Sequence, residues 1–346
     1  MLRYLTAGES HGRALIAILE GMPAGLRLEE EKINLELKRR QAGFGRGNRM
    51  KIEVDKAQVL SGIKNGITLG SPIALLIWNK DSSIERLPRV VCPRPGHADL
   101  AGLLKYGFSD IRNVLERASA RQTAICVAIG AICKIFLDTF RIKISSKVLS
   151  IAGESDLKAM RQKVYEAMSR RDTVGGIFEV VAYGVPVGLG SYVQPDRRLD
   201  ARIAGAIISI PGVKAVEFGL GFNYAYRFGS ESHDAIYYTK GKGYIRRTNN
   251  AGGIEGGMSN GQDIIVRGCM KPISTLLKPL DSVNIKTKRQ AKAAIERSDI
   301  CVVEAAAVIS EAHLAYVLAD AFLEKFGSDS LRDITVNYRN YLKRIA

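Results

Sequence analysis

The chain has 346 residues, 46% hydrophobic and 25% charged, with a formal charge of +16. These are the proportions of a soluble globular protein with ample material for a core, and the positive excess admits nucleic acid, an anionic surface or small acidic ligands as partners. An aromatic content of 7% and the lack of a long Lys/Arg block speak against a single-strand nucleic-acid groove, and no cysteine pair has metal-ligand spacing.

Met1-Leu2-Arg3-Tyr4 lacks a signal peptide's apolar core, and the apolar run from Ala124 to Leu137 is broken by Lys134 and too short for a bilayer. The five cysteines (Cys92, Cys126, Cys133, Cys269, Cys301) therefore read as reduced thiols, and a cytoplasmic protein without a membrane partner is expected. In chain order, Ala14 to Leu19 reads as a buried strand just after a glycine-bounded turn, Gly8-Glu-Ser-His-Gly12. Glu29 to Arg40 reads as a helix, acidic at its start and basic at its end, which suits the helix dipole.

From Lys38 to Lys51 there are six cations and no acid, with glycines at 43, 45 and 47. Such a run is either a solvated face or a clamp for phosphate or carboxylate, for which arginine forks are shaped. Neither a P-loop nor a dinucleotide glycine fingerprint is present. Ile52–Val54 and Ile73–Trp78 read as strands. The turn Arg94-Pro-Gly-His-Ala-Asp99 sets a fixed cation, an imidazole and a carboxylate together, with Asp99 placed to cap a helix through Lys105 that stops at Gly107.

A long helix is expected to start after Asp110 and to run through Arg117 and Arg121, four apart on one face, with Ser119 at its edge. Its later half buries Ile125, Ala128, Ile129, Ile132, Ile135 and Phe136, and Gly130 permits close packing. Residues 142–151 and 177–185 read as strands, 156–169 and 199–210 as helices, the latter ending at Pro211-Gly212. Residues 229–262 hold His233, a basic hairpin-like stretch from Lys240 to Arg247, and a glycine-rich run whose composition favours plain mobility over wrapping on a ligand. Strand follows at 262–267. An alanine-rich helix then runs from about Val302 to Phe326, with Gly327 at the left-handed stop and His313 as a structural histidine. No fixed repeat and no linker divides the chain, so a single compact α+β domain over 1–346 with long functional loops is expected, its tail from about 328 peripheral.

Gly8-Glu-Ser-His-Gly12, Arg94-Pro-Gly-His-Ala-Asp99, Arg117-Ala-Ser-Ala-Arg121, Ala251-Gly-Gly-Ile-Glu-Gly-Gly257 and Lys271-Pro-Ile-Ser-Thr275, in that order, closely resemble the chorismate synthase family over roughly residues 4–327. The resemblance implies a sandwich of antiparallel β-sheets and helices, a homotetramer, and an elimination of phosphate and a ring proton from 5-enolpyruvylshikimate 3-phosphate that requires reduced FMN. It assigns Arg40, Arg46, Arg49, Arg94 and Arg121 to the substrate, Arg40 and Arg46 also matching the NADP positions of bifunctional relatives. Flavin contacts fall on Arg117, Ala118, Ser119, Pro211, Gly212, Gly256, Lys271, Pro272, Ile273, Ser274, Thr275 and Arg297.

His11 takes the role of acid toward the departing phosphate, and His97 that of donor to, or charge partner of, the reduced flavin. Asp299 assists proton removal, with Ser10 and Ser119 as proton relays. No metal is implied. Gln122, Ser274, Glu304 and His313 depart from the usual family residues without removing a group the chemistry needs. The compact length favours a monofunctional enzyme served by a separate flavin reductase. The rival from composition alone, a basic nucleic-acid-binding protein, draws on the charge of +16.

Overall fold

Along Ala14–Glu20 burial alternates: Leu15, Ala17 and Leu19 are fully enclosed while Ile16 and Ile18 face outward. That period of two makes a strand with one face on a core. The computed structural model describes residues 1–47, 54–241, 243–296 and 299–345. Arg49, Arg297 and most of the strand expected at Ile52–Val54 lie outside these.

The first sheet contains β1 (Arg3–Ala7), β2 (Ala14–Glu20), β3 (Ala57–Val59) and β4 (Ile73–Trp78), antiparallel in the order β1-β2-β4-β3. The register sets Leu15 opposite Ile77 and Leu19 opposite Ile73, so one face is continuous hydrocarbon. The second sheet contains β5 (Lys143–Ile151), β6 (Gly176–Tyr183), β7 (Val213–Phe218) and β8 (Ile264–Met270), antiparallel in the order β5-β6-β8-β7.

Apart from a single turn at Gly229–Ser232, the α-helices among the described residues are α1 (Glu30–Gln41), α2 (Asp99–Tyr106), α3 (Arg112–Ala118), α4 (Thr123–Asp138), α5 (Leu157–Ser169), α6 (Leu199–Ile208), α7 (Val303–Phe326) and α8 (Leu331–Ile345). Helix α4 packs on β2 and β4 of the first sheet, α7 packs on β5 and β6 of the second, and the two helices pack on each other. The two helices therefore fill the space between the sheets, giving the expected α+β sandwich. Both stretches, 112–138 and 303–326, are apolar enough to cross a membrane by length and composition, yet most of each is enclosed here. A helix apolar around its whole circumference belongs in such a middle layer. Gly130 makes the contact possible: a Cβ there would sit 2.3 Å from the Ala312 Cβ.

Several elements differ from expectation. The helix expected to run on from Asp110 is broken at Ser119, whose ψ of 143° is extended, and resumes as a 3-10 turn at Ala120–Gln122 before α4. Good helix formers there yield to tertiary contacts described below. Asp99 does not cap α2; it is the first helical residue, with Ala98 at the cap, and its carboxylate turns to Arg94 and His97. Gly327 does end α7, but at φ 102° and ψ 166°, outside the left-handed helical region.

The glycine-rich run at 249–261 is built rather than merely loose. Asp234 accepts the N–H groups of Asn250 and Ala251 at 2.8 and 2.9 Å, and Asn249 accepts that of Gly253 at 2.8 Å. A Cβ on Gly252 would fall 2.4 Å from the Gly219 backbone nitrogen, so glycine is required for this close approach. In the tail, α8 buries Ile334 and sets Tyr338 against Phe140, Phe322 and Phe326.

Candidate active site

The basic end of α1 turns inward. Arg40, 4% exposed, donates from Nε to Thr123 Oγ1 at 2.9 Å and from Nη2 to the Ala120 carbonyl at 3.1 Å. Its Nη1 lies 3.4 Å from Asp55 Oδ2, while Arg121 donates to Asp55 Oδ1 at 2.6 Å and to Asn79 Oδ1 at 2.9 Å. Arg46 pairs with Asp299 at 3.1 Å, and the Gly47 N–H donates to the same carboxylate at 2.5 Å. Burial pushes Arg40 down to about 10, with Arg46 and Arg121 adding to the shift and Asp55 and Asp299 opposing it. It stays charged at neutral pH. Among the described residues three guanidiniums thus gather around two carboxylates, and a bound anion would ease their mutual repulsion.

The first histidine turn joins this group. Asn79 donates to the Glu9 and Gly12 carbonyls at 3.1 and 2.8 Å, so Arg121, Asn79 and the turn form one chain of contacts. Ser119 Oγ donates to Ser10 Oγ at 3.2 Å and accepts the Arg121 N–H at 3.3 Å, which accounts for the break between α3 and α4. His11 Nδ1 lies 2.9 Å from Glu116 Oε2, and its Nε2 lies 3.9 Å from Asp81 Oδ2. The guanidinium of Arg117 donates to the carbonyls of Gly8 and Thr6 at 3.0 and 3.2 Å, bracing the turn from below. Ala118 closes α3.

The second histidine turn forms its own cluster. Arg94 grips Asp99 through Nε at 2.9 Å and Nη2 at 3.0 Å, and His97 Nδ1 lies 2.5 Å from Asp99 Oδ1. Burial alone would raise the Asp99 carboxyl, but the hydrogen bonds from His97 and Arg94, with their charges, hold it well below the usual carboxylate range. Arg94 also donates to Thr275 Oγ1 at 2.9 Å, and Lys271 Nζ donates to the Gly96 carbonyl. The Lys271 N–H donates to the Gly212 carbonyl at 3.0 Å, and Thr173 Oγ1 donates to the Ile273 carbonyl at 2.8 Å. Pro211-Gly212, Lys271–Thr275 and Arg94–Asp99 therefore meet. Gly256, exposed in the turn between Glu255 and Met258, stands apart from them among the described contacts.

The two clusters are linked through the 292–296 stretch. The Ala294 N–H donates to the Cys92 carbonyl at 3.1 Å beside Arg94, and Glu296 pairs with Arg112 at 3.0 Å one helical turn before Glu116. Sequence reasoning missed Asp55, Asn79 and Glu116, the polar groups that hold the arginines and His11. Glu116 had a signal, since it lies one residue before the Arg117 motif and four after Arg112. Asp55 and Asn79 had none, being ordinary polar residues near strand ends.

Two imidazoles each held at Nδ1 by a buried carboxylate, beside crowded arginines, define an enzyme that moves protons next to a polyanion. The chorismate synthase family profile matches residues 2–323. A chorismate synthase of Thermoanaerobacter pseudethanolicus is 56% identical over 344 residues, covering 99% of this chain and 98% of that protein. One of Aquifex aeolicus is 50% identical with the same coverage. A crystal structure of a chorismate synthase superposes with a TM-score of 0.82 at 42% identity, covering 99% of this chain and 98% of that one. This chain belongs to the chorismate synthase family. Its reaction is the anti-1,4-elimination of phosphate and a proton from 5-enolpyruvylshikimate 3-phosphate to give chorismate, the last common step toward the aromatic amino acids.

Proposed function

We propose that substrate binds on Arg40, Arg46, Arg94 and Arg121, with Arg49 added on sequence grounds, and that reduced FMN lies along Pro211-Gly212 and Lys271–Thr275. The observation that carries this reading is the gathering of Arg40, Arg46 and Arg121, with Asp55 and Asp299 between them, on the network that also holds His11. A substrate with two carboxylates and a phosphate suits such a cluster of fixed cations, each charge-assisted hydrogen bond being worth about 1.5–3 kcal/mol.

The residues along 211–212 and 271–275 suit a flavin phosphate and ring carbonyls. Burial, and the charge of Lys214 beside it, lower the Lys271 pKa, a strain that a dianion would relieve. Arg297 and Gly256 join this set on sequence grounds, as do Arg117, Ala118 and Ser119 at the turn. Reduced FMN, when bound, lends electron density to the allylic system and recovers it, leaving the net reaction redox-neutral. His11 donates its proton to the phosphate oxygen as the carbon–oxygen bond breaks. His97, fixed by Asp99, sets the charge state on the flavin side, and Asp299 takes part in removal of the ring proton with Ser10 and Ser119 relaying.

An exposed apolar face on the first sheet, formed by Leu5, Ile16, Ile18 and Trp78 and flanked by the paired Arg3 and Glu20, supports the reading of a homotetramer. A cytoplasmic enzyme whose flavin is reduced by a separate reductase completes the reading. The test is an anaerobic assay with chemically reduced FMN, following chorismate absorbance. Turnover that depends on reduced FMN, and a Lys271→Ala variant whose FMN Kd rises about tenfold, are expected. Turnover without flavin, or unchanged FMN affinity in the variant, overturns the cofactor assignment.

A further inference from the structure

We propose that Glu116 is the positioning residue for His11: its buried carboxylate fixes the ring with hydrogen on Nδ1 and leaves Nε2 as the working nitrogen. The proposal rests on the reading of His11 as proton donor to the departing phosphate. Glu116 is 3% exposed and lies within α3, yet its carboxylate reaches out of the helix to His11 of the histidine turn while its backbone carbonyl meets the preceding Ser10. Oε2 lies 2.9 Å from His11 Nδ1 and accepts the His11 backbone N–H at 2.9 Å, while Oε1 lies 3.1 Å from the same ring nitrogen. The Glu116 carbonyl accepts the Ser10 N–H at 3.0 Å. Ring and backbone are thus held by one residue, which fixes both the place and the rotation of the imidazole.

The protonation state of Glu116 decides which nitrogen carries hydrogen. Burial alone would raise its pKa, but the hydrogen bond and charge of His11, and then Arg112, hold it below the ordinary value. An ionised carboxylate only accepts, so Nδ1 must be the donor. The neutral ring then has its lone pair on Nε2, and the protonated ring has a transferable hydrogen there. Arg112, 3.6 Å from Oε1 and tied to Glu296 at 3.0 Å, keeps the carboxylate charged. On the opposite side Asp81 faces Nε2 at 3.9 Å. A side chain serving packing alone has no need to meet a ring nitrogen with both oxygens.

The experiment compares Glu116→Gln, Glu116→Asp, His11→Ala and the double variant His11→Ala/Glu116→Gln. The glutamine keeps the shape and removes the obligatory acceptor. We expect kcat to fall roughly 10- to 100-fold, the cost typical of losing a partner that orients a metal-bound imidazole, with KM within about threefold. Glu116→Asp restores part of kcat. In the His11→Ala background the glutamine change costs less than about twofold more, because its effect passes through the ring.

The chain has four histidines, so ring-15N labelling with His11→Ala for assignment resolves the His11 signals by NMR. The wild-type neutral ring should show the Nδ1–H tautomer, and Glu116→Gln should lose that pattern. An unchanged tautomer, or full additivity in the double variant, overturns the proposal. Unchanged kcat in His11→Ala instead overturns the role given to His11, while the tautomer still judges Glu116. If Glu116→Gln fails to fold, Glu116→Asp is read by the same spectra, and a pattern identical to wild type with kcat lost counts against positioning.

Discussion

Replacing Asp55 by Asn isolates the charge balance of the arginine group. The Asp55 side chain is fully enclosed and takes Arg121 at 2.6 Å and Arg40 at 3.4 Å. The amide keeps the volume and one acceptor but removes a negative charge that Arg40 and Arg121 share. Breaking a buried ion pair by removing one partner costs about 3–5 kcal/mol, and the retained acceptor points to the lower end. An unfolding entropy of about 2.1 cal/mol/K per residue, over 346 residues, converts 3 kcal/mol into a Tm drop of about 4 °C. Differential scanning fluorimetry with and without inorganic phosphate reads both halves of the effect. Phosphate should raise the Tm of the variant more than that of the wild type, because the variant has the larger uncompensated charge. A drop under about 1 °C with equal phosphate response would show that Asp55 does not balance these arginines.

The Gly130 contact sets two opposing effects against each other. Gly130→Ala gains about 1 kcal/mol of helix propensity but drives a methyl to 2.3 Å from the Ala312 Cβ, and overpacking of this kind costs about 1–3 kcal/mol or more. Net destabilisation by urea unfolding is expected. Gly205→Ala on α6, where an added Cβ meets nothing within 4 Å, should stabilise by about 0.5–1 kcal/mol. A stabilised Gly130→Ala would refute the close packing of α4 on α7. On the acid side, Asp99, Glu116 and Glu311 all have folded pKa values below their ordinary ones. Their contribution is complete above the unfolded value near 4 and is lost as pH falls below it, so urea midpoints should hold from about pH 7 to 5 and fall steeply between about 4 and 2.5. A flat profile through that window would contradict the described pairs.

The sequence makes legible whatever local pattern controls. The charge gradient of α1, the core stripe of α4 with Gly130, and the two histidine turns all lie where pattern places them. What escaped is decided by residues far away in the chain. Leu115 to Ala124 reads as helix throughout because its residues favour helix, whereas Ser119 is pulled extended by Ser10, 109 residues earlier. Asp99 offers a plausible cap to a sequence reader, but Arg94 and His97 compete for the same carboxylate and win through charge. Asp55 serves two arginines 15 and 66 residues away, a relation no local window contains. The glycines at 252 and 253 read as looseness until the backbones of Gly219 and of Asp263-Ile264 are known to press against them, respectively.

The interruption at Ser119 has a consequence for how this catalyst can change. Within six residues of backbone, Glu116 governs the imidazole, Ser119 touches the serine beside it, and Arg121 reaches the cation group. Proton handling and anion handling are therefore mounted on the same rigid corner, and lengthening it by one residue would misalign both at once. The Glu9–Gly12 turn and Asn79, which face this corner and bond to it, are bound by the same constraint.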